Sequence, residues 1–417
     1  KINIKLSLIR IFNSKNINYL YYLIGEGFAK LLIFLSIRFF TNYFDKISFG
    51  KLTLFWISIP ILSVLIDFSQ RSYVKYIYIN FRSKSDVVIQ SIRLFSFVIL
   101  LFLFLIFWTL NFFDIILIDK GLDSLILFCS FFFVLIEISL SYFQIRGDAI
   151  HYNIIFIVRQ ALPYVLTVLY LIFFSGGIIS FGTIHLVVVV PLAVYLVFRR
   201  HFITLSWELF YETIKSSLSF SIPFIPAMIS VLLLGFSDRF LIKYYFSDVE
   251  VANYTIAYTV GTIYAAFFLA TNKMWQKYIL EGLKLQKIDE IKSAAKKYLL
   301  VVVLVGVIIV LLKTFLVNIL SNSSYFVILD IIPTILLGMF FYFLYTVMSN
   351  IPFFHKNTYL MALPAFIAAG LNIVLNVIML PIYGYKIAAL TTLISYFIEF
   401  LVIYIICLKK YKINLLI

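Results

Sequence analysis

Nine charged side chains stand inside, or at the edges of, stretches that are otherwise apolar: Glu26, Lys30, Arg38, Arg93, Glu137, Arg159, Asp238, Arg239 and Glu399. An ionisable group in mid-membrane costs at least ~2.5–3.5 kcal/mol on insertion scales, so each needs water, a partner or a task. Glu26 and Lys30 are four residues apart and share one helical face. Arg38 falls roughly 80° round the helix from Lys30. Glu137 and Arg159 flank the short turn "RGDAIH" at similar depth, where they can pair. Asp238 and Arg239 close the uncharged run "SIPFIPAMISVLLLGF", and Glu399 lies well inside the last apolar segment. The bases Lys30, Arg38, Arg159 and Arg239 have the chemistry to hold an anion. The acids Glu26, Asp238 and Glu399 can take up and release a proton or a small cation. Each also has a plainer reading. Glu137 with Arg159 is a structural ion pair, Arg38, Asp238 and Arg239 reach the headgroups from outer helix ends, Arg93 is interfacial, and Glu399 is a buried acid.

Other chemistry is missing from the chain. It has no G-x-x-x-x-G-K-[ST] loop, no G-x-G-x-x-G, no H-E-x-x-H and no G-x-S-x-G. His151, His185, His201 and His355 have no ligand spacing, and His185 reads as a satisfied polar group inside an apolar segment. No cofactor is expected beyond a coupling H⁺ or Na⁺. Connections stay below about 30 residues, too short for a soluble catalytic domain, so a non-enzyme is expected.

The elements that carry these groups follow from composition. The chain has 417 residues, of which 63% are hydrophobic and 13% charged, with a mean hydropathy of +1.06. Soluble domains are about 45–50% apolar, and a chain of this size could not hide the excess from water. The charges cluster between apolar runs, which is the layout of an all-α polytopic membrane protein. A net charge of +15 raises the question of nucleic acid, but the basic residues occupy alternate loops without interleaved stacking aromatics, so no nucleic-acid partner is expected. Cys129 and Cys407 lie in separate apolar runs and read as buried free thiols. The N-terminal stretch does not read as a cleaved signal, because its first apolar run is span-length and lacks a small-residue cleavage site.

At about 20 residues per crossing, twelve spans are expected, near 19–41, 52–68, 88–113, 122–145, 152–174, 178–198, 217–242, 250–271, 297–318, 327–350, 358–380 and 384–408. With both termini cytoplasmic, the inner segments hold 23 of the 34 Lys and Arg residues and the outer ones 6, as the positive-inside rule requires. Pro223, Pro226, Pro333 and Pro364 are expected to bend their helices. The Lys-rich stretch "NKMWQKYILEGLKLQKIDEIKSAAKKY" reads as a solvated amphipathic surface segment.

The chain also echoes itself. "SIRFFTNYFDKISFGKLT" lines up with "SDRFLIKYYFSDVEVANYT" after one inserted residue, matching Ser36 with Ser237, Arg38 with Arg239, Phe39 with Phe240, Tyr43 with Tyr244 and Thr53 with Thr255. Two parallel six-helix lobes follow, 1–200 and 201–417, as in transporters that rock one repeat against another. The basic residues of helices 1 and 7 would then face one another across a positive cavity suited to an anionic substrate.

Near the C-terminus the chain reads "GLNIVLNVIMLPIYGYKIAALTTLISYF". This resembles the polysaccharide-exporter branch of the multidrug/oligosaccharidyl-lipid/polysaccharide (MOP) superfamily, which shows N-x-x-x-N on an apolar helix, then Pro, then G-x-x-G-A-A. Asn372, Asn376, Pro381, Gly384, Ala388 and Ala389 match, while Ile387 replaces the second Gly. "LIGEGFAKLLIFLSIRFFTNYFDKISFG" is similar to the opening helix of that family, and "SIPFIPAMISVLLLGFSDRF" to its seventh, so the likeness covers nearly the whole chain. The resemblance implies a MATE-like fold and a Wzx-type flippase of undecaprenyl-diphosphate-linked oligosaccharide, acting in O-antigen or capsule assembly in the bacterial inner membrane. For such a substrate the positive cavity of Lys30, Arg38, Arg239 and Arg159 would hold the diphosphate, and Asn372 and Asn376 would touch sugar hydroxyls or brace the bundle. Glu26, Asp238 or Glu399 would couple an ion. Partners implied are membrane lipids and glycan-assembly proteins such as a polymerase and a chain-length regulator, with the transporter itself a monomer. The rival readings are a drug or cation exporter of the same superfamily, which calls for an acid-dominated cavity, and a membrane glycan polymerase or ligase, which calls for a large outer loop.

Overall fold

The computed structural model describes residues 14–113, 120–199, 205–355, 357 and 359–415. The terminal and loop residues Lys1, Lys5, Arg10, Arg200, His201 and Lys356 lie outside that set. Among the described residues every regular element is helical: α1 Ser14–Tyr43, α2 Lys46–Asp67, α3 Arg71–Asn80, α4 Ser85–Phe112, α5 Lys120–Arg146, α6 Ala149–Gln160, α7 Leu162–Phe173, α8 Ile178–Phe198, α9 Trp207–Ser221, α10 Ile225–Tyr245, α11 Asp248–Lys284, α12 Ile288–Leu311, α13 Lys313–Leu320, α14 Ile332–Met348, α15 Asn350–Phe354, α16 Tyr359–Tyr383 and α17 Ala388–Ile406. Eleven segments among them are long and apolar enough to cross a membrane, and α1 is a further helix of 30 residues. In lipid every backbone polar group has to be satisfied internally, which is why an apolar chain of this kind resolves into helices.

The chain divides into two compact units. Unit 1 comprises residues 1–40 and 54–225, and unit 2 comprises 41–53 and 226–417. In unit 1 the core is aliphatic and aromatic, with Ile92 of α4, Val134 and Ile136 of α5 and Ala193 of α8 fully or almost fully buried. In unit 2, Tyr254, Tyr264 and Phe268 of α11 and Phe343 of α14 are the large buried side chains.

Residues 41–53 are fastened inside unit 2 by specific bonds. Thr41 Oγ1 donates to the Leu320 carbonyl at 3.0 Å, and Lys46 Nζ donates to Asn253 Oδ1 at 3.0 Å and to the Ser324 carbonyl at 2.7 Å. Lys46 also lies 4.6 Å over the Tyr325 ring. Gly50 lies so close to the backbone of Asp248 that any Cβ there would collide with its carbonyl. The two echoing stretches fold alike, each as a helix, a two-residue break and a second helix. Asp45 caps α2 by accepting from Ser48 N at 2.9 Å, and Ser247 caps α11 by accepting from Val249 N at 3.1 Å.

Pro163, Pro223 and Pro333 stand at helix or turn starts, where a missing N–H is harmless. Pro163 opens α7 after a break at Ala161, and Pro223 lies in a short 3₁₀ turn between α9 and α10. Pro333 belongs to the first turn of α14 and therefore starts a helix instead of bending one. Pro364 and Pro381 are inside α16. Gly384 adopts φ +82°, a conformation that only glycine takes readily. Ile387 has φ −62°, so a side chain fits where the family pattern has a second Gly. The Lys-rich stretch is helical throughout its first part. It extends α11 with Trp275, Ile279 and Leu283 buried on one stripe, and Ile291 of α12 packs against Gly282.

Candidate functional site

The richest polar cluster lies inside unit 2 and gathers four of the residues singled out in the sequence. Asp238 of α10 is fully buried. Its Oδ1 accepts from the Arg239 backbone N at 3.1 Å and from Arg239 Nη1 at 3.2 Å. Its Oδ2 accepts from the Tyr254 hydroxyl at 2.7 Å and from Thr392 Oγ1 at 3.4 Å. Arg239 is itself 4% exposed. Its guanidinium donates to the Gly235 carbonyl at 2.6 Å and stacks 4.0 Å over the Tyr258 ring, a favourable placement for a cation withdrawn from water.

The asparagines extend this cluster. Ser237 Oγ donates to Asn372 Oδ1 at 3.0 Å, and Asn376 Nδ2 donates to the same oxygen at 3.1 Å. Asn372 Nδ2 donates to Thr392 Oγ1 at 3.3 Å, and Thr391 Oγ1 donates to Asn376 Oδ1 at 2.6 Å. Helices α10, α11, α16 and α17 are thereby joined by one chain of bonds from Asn376 to Arg239. Tyr258 and Tyr396 continue it, their hydroxyls 3.3 Å apart. Glu399 is 2% exposed on α17, seven residues beyond Thr392 and so on its face. Its Oε2 has no hydrogen-bond partner among the described residues.

Spacing finds the pairs Asn372/Asn376 and Asp238/Arg239, but Tyr254, Tyr258, Thr391 and Thr392 escape it. Their signal is a polar or hydroxyl residue repeated at four- or seven-residue intervals on otherwise apolar helices.

Unit 1 carries a second buried cluster, ionic in character. Arg159 of α6, 3% exposed, pairs with Glu137 Oε1 of α5 and lies 4.0 Å over the Phe133 ring. Glu137 Oε2 is 3.8 Å from Arg71 of α3, and Arg71 Nε is 2.8 Å from Asp67 Oδ2 at the end of α2. Two acids and two arginines thus neutralise one another. Asp67 Oδ1 also accepts from Ser69 N at 2.9 Å, closing a turn in which Phe68 and Ser69 have φ of +48° and +59°. Left-handed backbone at two non-glycine residues is strained by roughly 1–2 kcal/mol each, and the Asp67 bond offsets part of that. Neither Asp67 nor Arg71 is singled out by the sequence reading.

The remaining candidates are not gathered. Glu26 and Arg38 of α1 are partly buried and Lys30 is exposed. Arg93 donates to Ser139 Oγ at 3.0 Å and to the Leu196 carbonyl at 3.3 Å, so it is tied to neighbouring helices. The His185 ring lies among Phe55, Tyr164 and Phe181, the last with its centroid 4.8 Å away, and its Nδ1 has no partner among the described residues. No group of three His, Cys, Asp or Glu side chains with metal-binding placement occurs among the described residues. A hard monovalent cation would find its oxygens in unit 2, at Asp238 with the amide and hydroxyl oxygens of Asn372, Asn376 and Thr392.

No known family profile matches the sequence. Over 270 residues the chain is 24% identical to an uncharacterized membrane protein of Haemophilus influenzae, a likeness covering 63% of this chain and 64% of that protein, hence less than two thirds of the relative's length. Among solved structures, the lipid II flippase MurJ in an inward closed conformation superposes with a TM-score of 0.71 at 18% identity, over 92% of this chain and 86% of that one. An inward-facing multidrug resistance MATE family transporter of the MOP superfamily superposes with a TM-score of 0.67 at 12% identity, over 97% of each chain. A MOP superfamily transporter from Pyrococcus furiosus gives 0.63 at 12% identity, over 93% and 94%. The fold is therefore that of the MOP-superfamily transporters, an all-α polytopic membrane protein. These neighbours are flippases and transporters, not enzymes.

Proposed function

We propose that this protein is a flippase that carries polyprenyl-diphosphate-linked oligosaccharide units from the cytoplasmic to the outer leaflet of a bacterial inner membrane, for O-antigen or capsule assembly. The observation that carries the reading is Lys30. It is exposed near the middle of the 30-residue α1, one turn beyond Glu26. A lysine in the middle of a span-length helix needs water, a partner or an anion, since lipid penalises a charge at mid-membrane by ~2.5–3.5 kcal/mol or more. The fold likeness to a lipid II flippase supports a lipid-linked glycan as the class of cargo.

In this reading Lys30 meets the diphosphate as a point charge, and Arg38 pairs with its oxygens through two parallel N–H bonds. The charges of Arg239 and Arg159 are met at rest by Asp238 and Glu137, and these two side chains reach phosphate only by exchanging those partners. Asn372 and Asn376 brace α16 against α17 and keep the network around Asp238 in register. Asp238 is the leading candidate for coupling to H⁺ or Na⁺, with Glu399 and Glu26 as the other acids. No nucleotide hydrolysis is required. Each negative charge moved outward gains about 2.3 kcal/mol per 100 mV, interior negative. The termini face the cytoplasm, the protein acts as a monomer among membrane lipids, and a polymerase and chain-length regulator take up its product.

Deleting the gene and analysing the lipid-linked glycan pool tests the proposal. Complete repeat units should accumulate on the inner leaflet, and surface glycan should disappear. A pool of truncated or single units with normal export would instead assign the chain to glycan polymerisation. An unchanged pool with raised drug sensitivity would assign it to drug export.

A further inference from the structure

Unit 1 contains a cavity of about 200 Å³ lined by Asp86, Ser139, Tyr142, Phe143, Arg146, Leu196 and Arg199. It lies where the start of α4 and the ends of α5 and α8 come together, at the end of unit 1 whose loops hold most of its Lys and Arg. The floor is built from buried groups, Ser139, Phe143 and Leu196. Arg93 braces that floor from behind through its bonds to Ser139 Oγ and the Leu196 carbonyl. The rim carries the exposed Arg146 and Arg199.

Arg199 is positioned before any ligand arrives. Its Nη2 lies 3.2 Å from His151 Nε2, and its guanidinium is 5.6 Å over Phe143 and 5.9 Å over Tyr195. A guanidinium only donates, so Nε2 accepts and the ring proton belongs on Nδ1. Nδ1 is 2.9 Å from both carboxylate oxygens of Asp148, and the ring stacks on Phe143 with centroids 5.5 Å apart. Partial burial works to raise the Asp148 carboxyl, and the bonds from the His151 ring and amide outweigh it, so the group stays below the usual carboxylate range. Asp148, His151 and Arg199 thus form a relay that fixes one wall of the cavity.

We infer that this cavity binds the headgroup of an anionic phospholipid, its phosphodiester held by Arg146 and Arg199. The lining carries two guanidinium groups and the Asp86 carboxylate, and Asp148 interacts with Arg146 and with the His151 ring, so the two arginines are oriented as N–H donors for a phosphodiester. A volume of about 200 Å³ lies below the roughly 300–1,000 Å³ of pockets for drug-sized ligands and leaves room for a small headgroup. The helices beside the cavity expose the apolar surface that acyl chains require, Leu94, Val98 and Leu101 on α4 and Tyr195 and Phe198 on α8. Basic pockets at the cytoplasmic ends of membrane helices have the chemistry to recognise anionic lipids. None of the lining residues belongs to the clusters around Asp238 and Glu137.

The test is native mass spectrometry of the full chain released from vesicles of phosphatidylglycerol or of phosphatidylcholine, with inorganic phosphate as a third probe. One phosphatidylglycerol should stay bound to the wild type, and neither phosphatidylcholine nor phosphate at millimolar concentration should replace it. Arg146→Ala and Arg199→Ala should each weaken retention about tenfold. Arg199→Lys, which keeps the charge and loses the two-pronged geometry, should fall between. Equal retention of both lipids, wild-type retention in both alanine variants, or full competition by inorganic phosphate would overturn the inference.

Discussion

At matching positions unit 1 carries Ser36, Ile37 and Arg38, and unit 2 carries Ser237, Asp238 and Arg239. The local outcomes diverge. Ser36 Oγ donates to the Leu32 carbonyl of its own helix at 2.8 Å, whereas Ser237 Oγ reaches across to Asn372. Arg38 is partly buried, whereas Arg239 is drawn in by the acid next to it. One carboxylate in place of an isoleucine turns the end of an apolar helix into the centre of a four-helix polar network. Unit 1 builds its buried charge elsewhere, from Asp67, Arg71, Glu137 and Arg159, as a set of ion pairs with Lys75 beside it. Acids joined to arginines on both oxygens make a rigid brace. Asp238 also pairs with Arg239, but its second oxygen faces the hydroxyls of Tyr254 and Thr392, which can be exchanged, and this is why the proposed coupling role is placed in unit 2.

The sharpest way to break the contrast is Glu137→Ala, which leaves Arg159 buried without its acid. Removing one partner of a buried pair costs about 3–5 kcal/mol, to be read as a fall in the unfolding midpoint in detergent. Replacing both Glu137 and Arg159 by leucine should recover most of that loss. No recovery would mean that Arg159 has a task beyond pairing. Gly50→Ala should come next, because its Cβ meets the Asp248 carbonyl and overpacking of this kind costs about 1–3 kcal/mol. It probes the fastening of residues 41–53 into unit 2, which has no counterpart in the sequence echo.

Smaller effects sharpen the comparison. Asp45→Ala should destabilise by about 1 kcal/mol through loss of the α2 cap. Bonds from the Ser48 side chain and amide hold the Asp45 carboxyl below its usual range. Its contribution is therefore fully present at neutral pH and lost as pH falls through that depressed value. Ser237→Ala should cost about 1 kcal/mol for a bond between helices. Ser36→Ala should cost only a few tenths, because its bond stays within one helix. Equal losses at the two serines would show that the equivalent positions do the same structural job.

Hydropathy alone locates α8 at the residues where it is found, 178–198, because nothing but lipid-length apolar character defines that helix. The same signal ends α11 near 271, while the helix runs on to Lys284 as Trp275, Ile279 and Leu283 find an apolar partner in α12. The charged residues were legible one by one, but their partners were not. Ser237 meets Asn372 and Asp238 meets Thr392, pairs 135 and 154 residues apart, and no local periodicity encodes such contacts. Glu137 and Arg159 were legible as a pair because a single turn joins their helices. Asp67 was not, because it falls at the end of the expected span 52–68, and the turn it closes shows only in the left-handed backbone of Phe68 and Ser69.

The central claim is that this chain moves a lipid-linked diphosphate sugar, with Asp238 as the acid that couples the step. The direct measurement is a proteoliposome assay that follows transfer of a fluorescent polyprenyl-diphosphate oligosaccharide between leaflets under a membrane potential, for the wild type and for Asp238→Asn at matched amounts of folded protein. The account predicts rapid transfer by the wild type and at least a tenfold slower rate for the variant. Transfer by the wild type no faster than in empty vesicles, or an unchanged rate in Asp238→Asn, would contradict it.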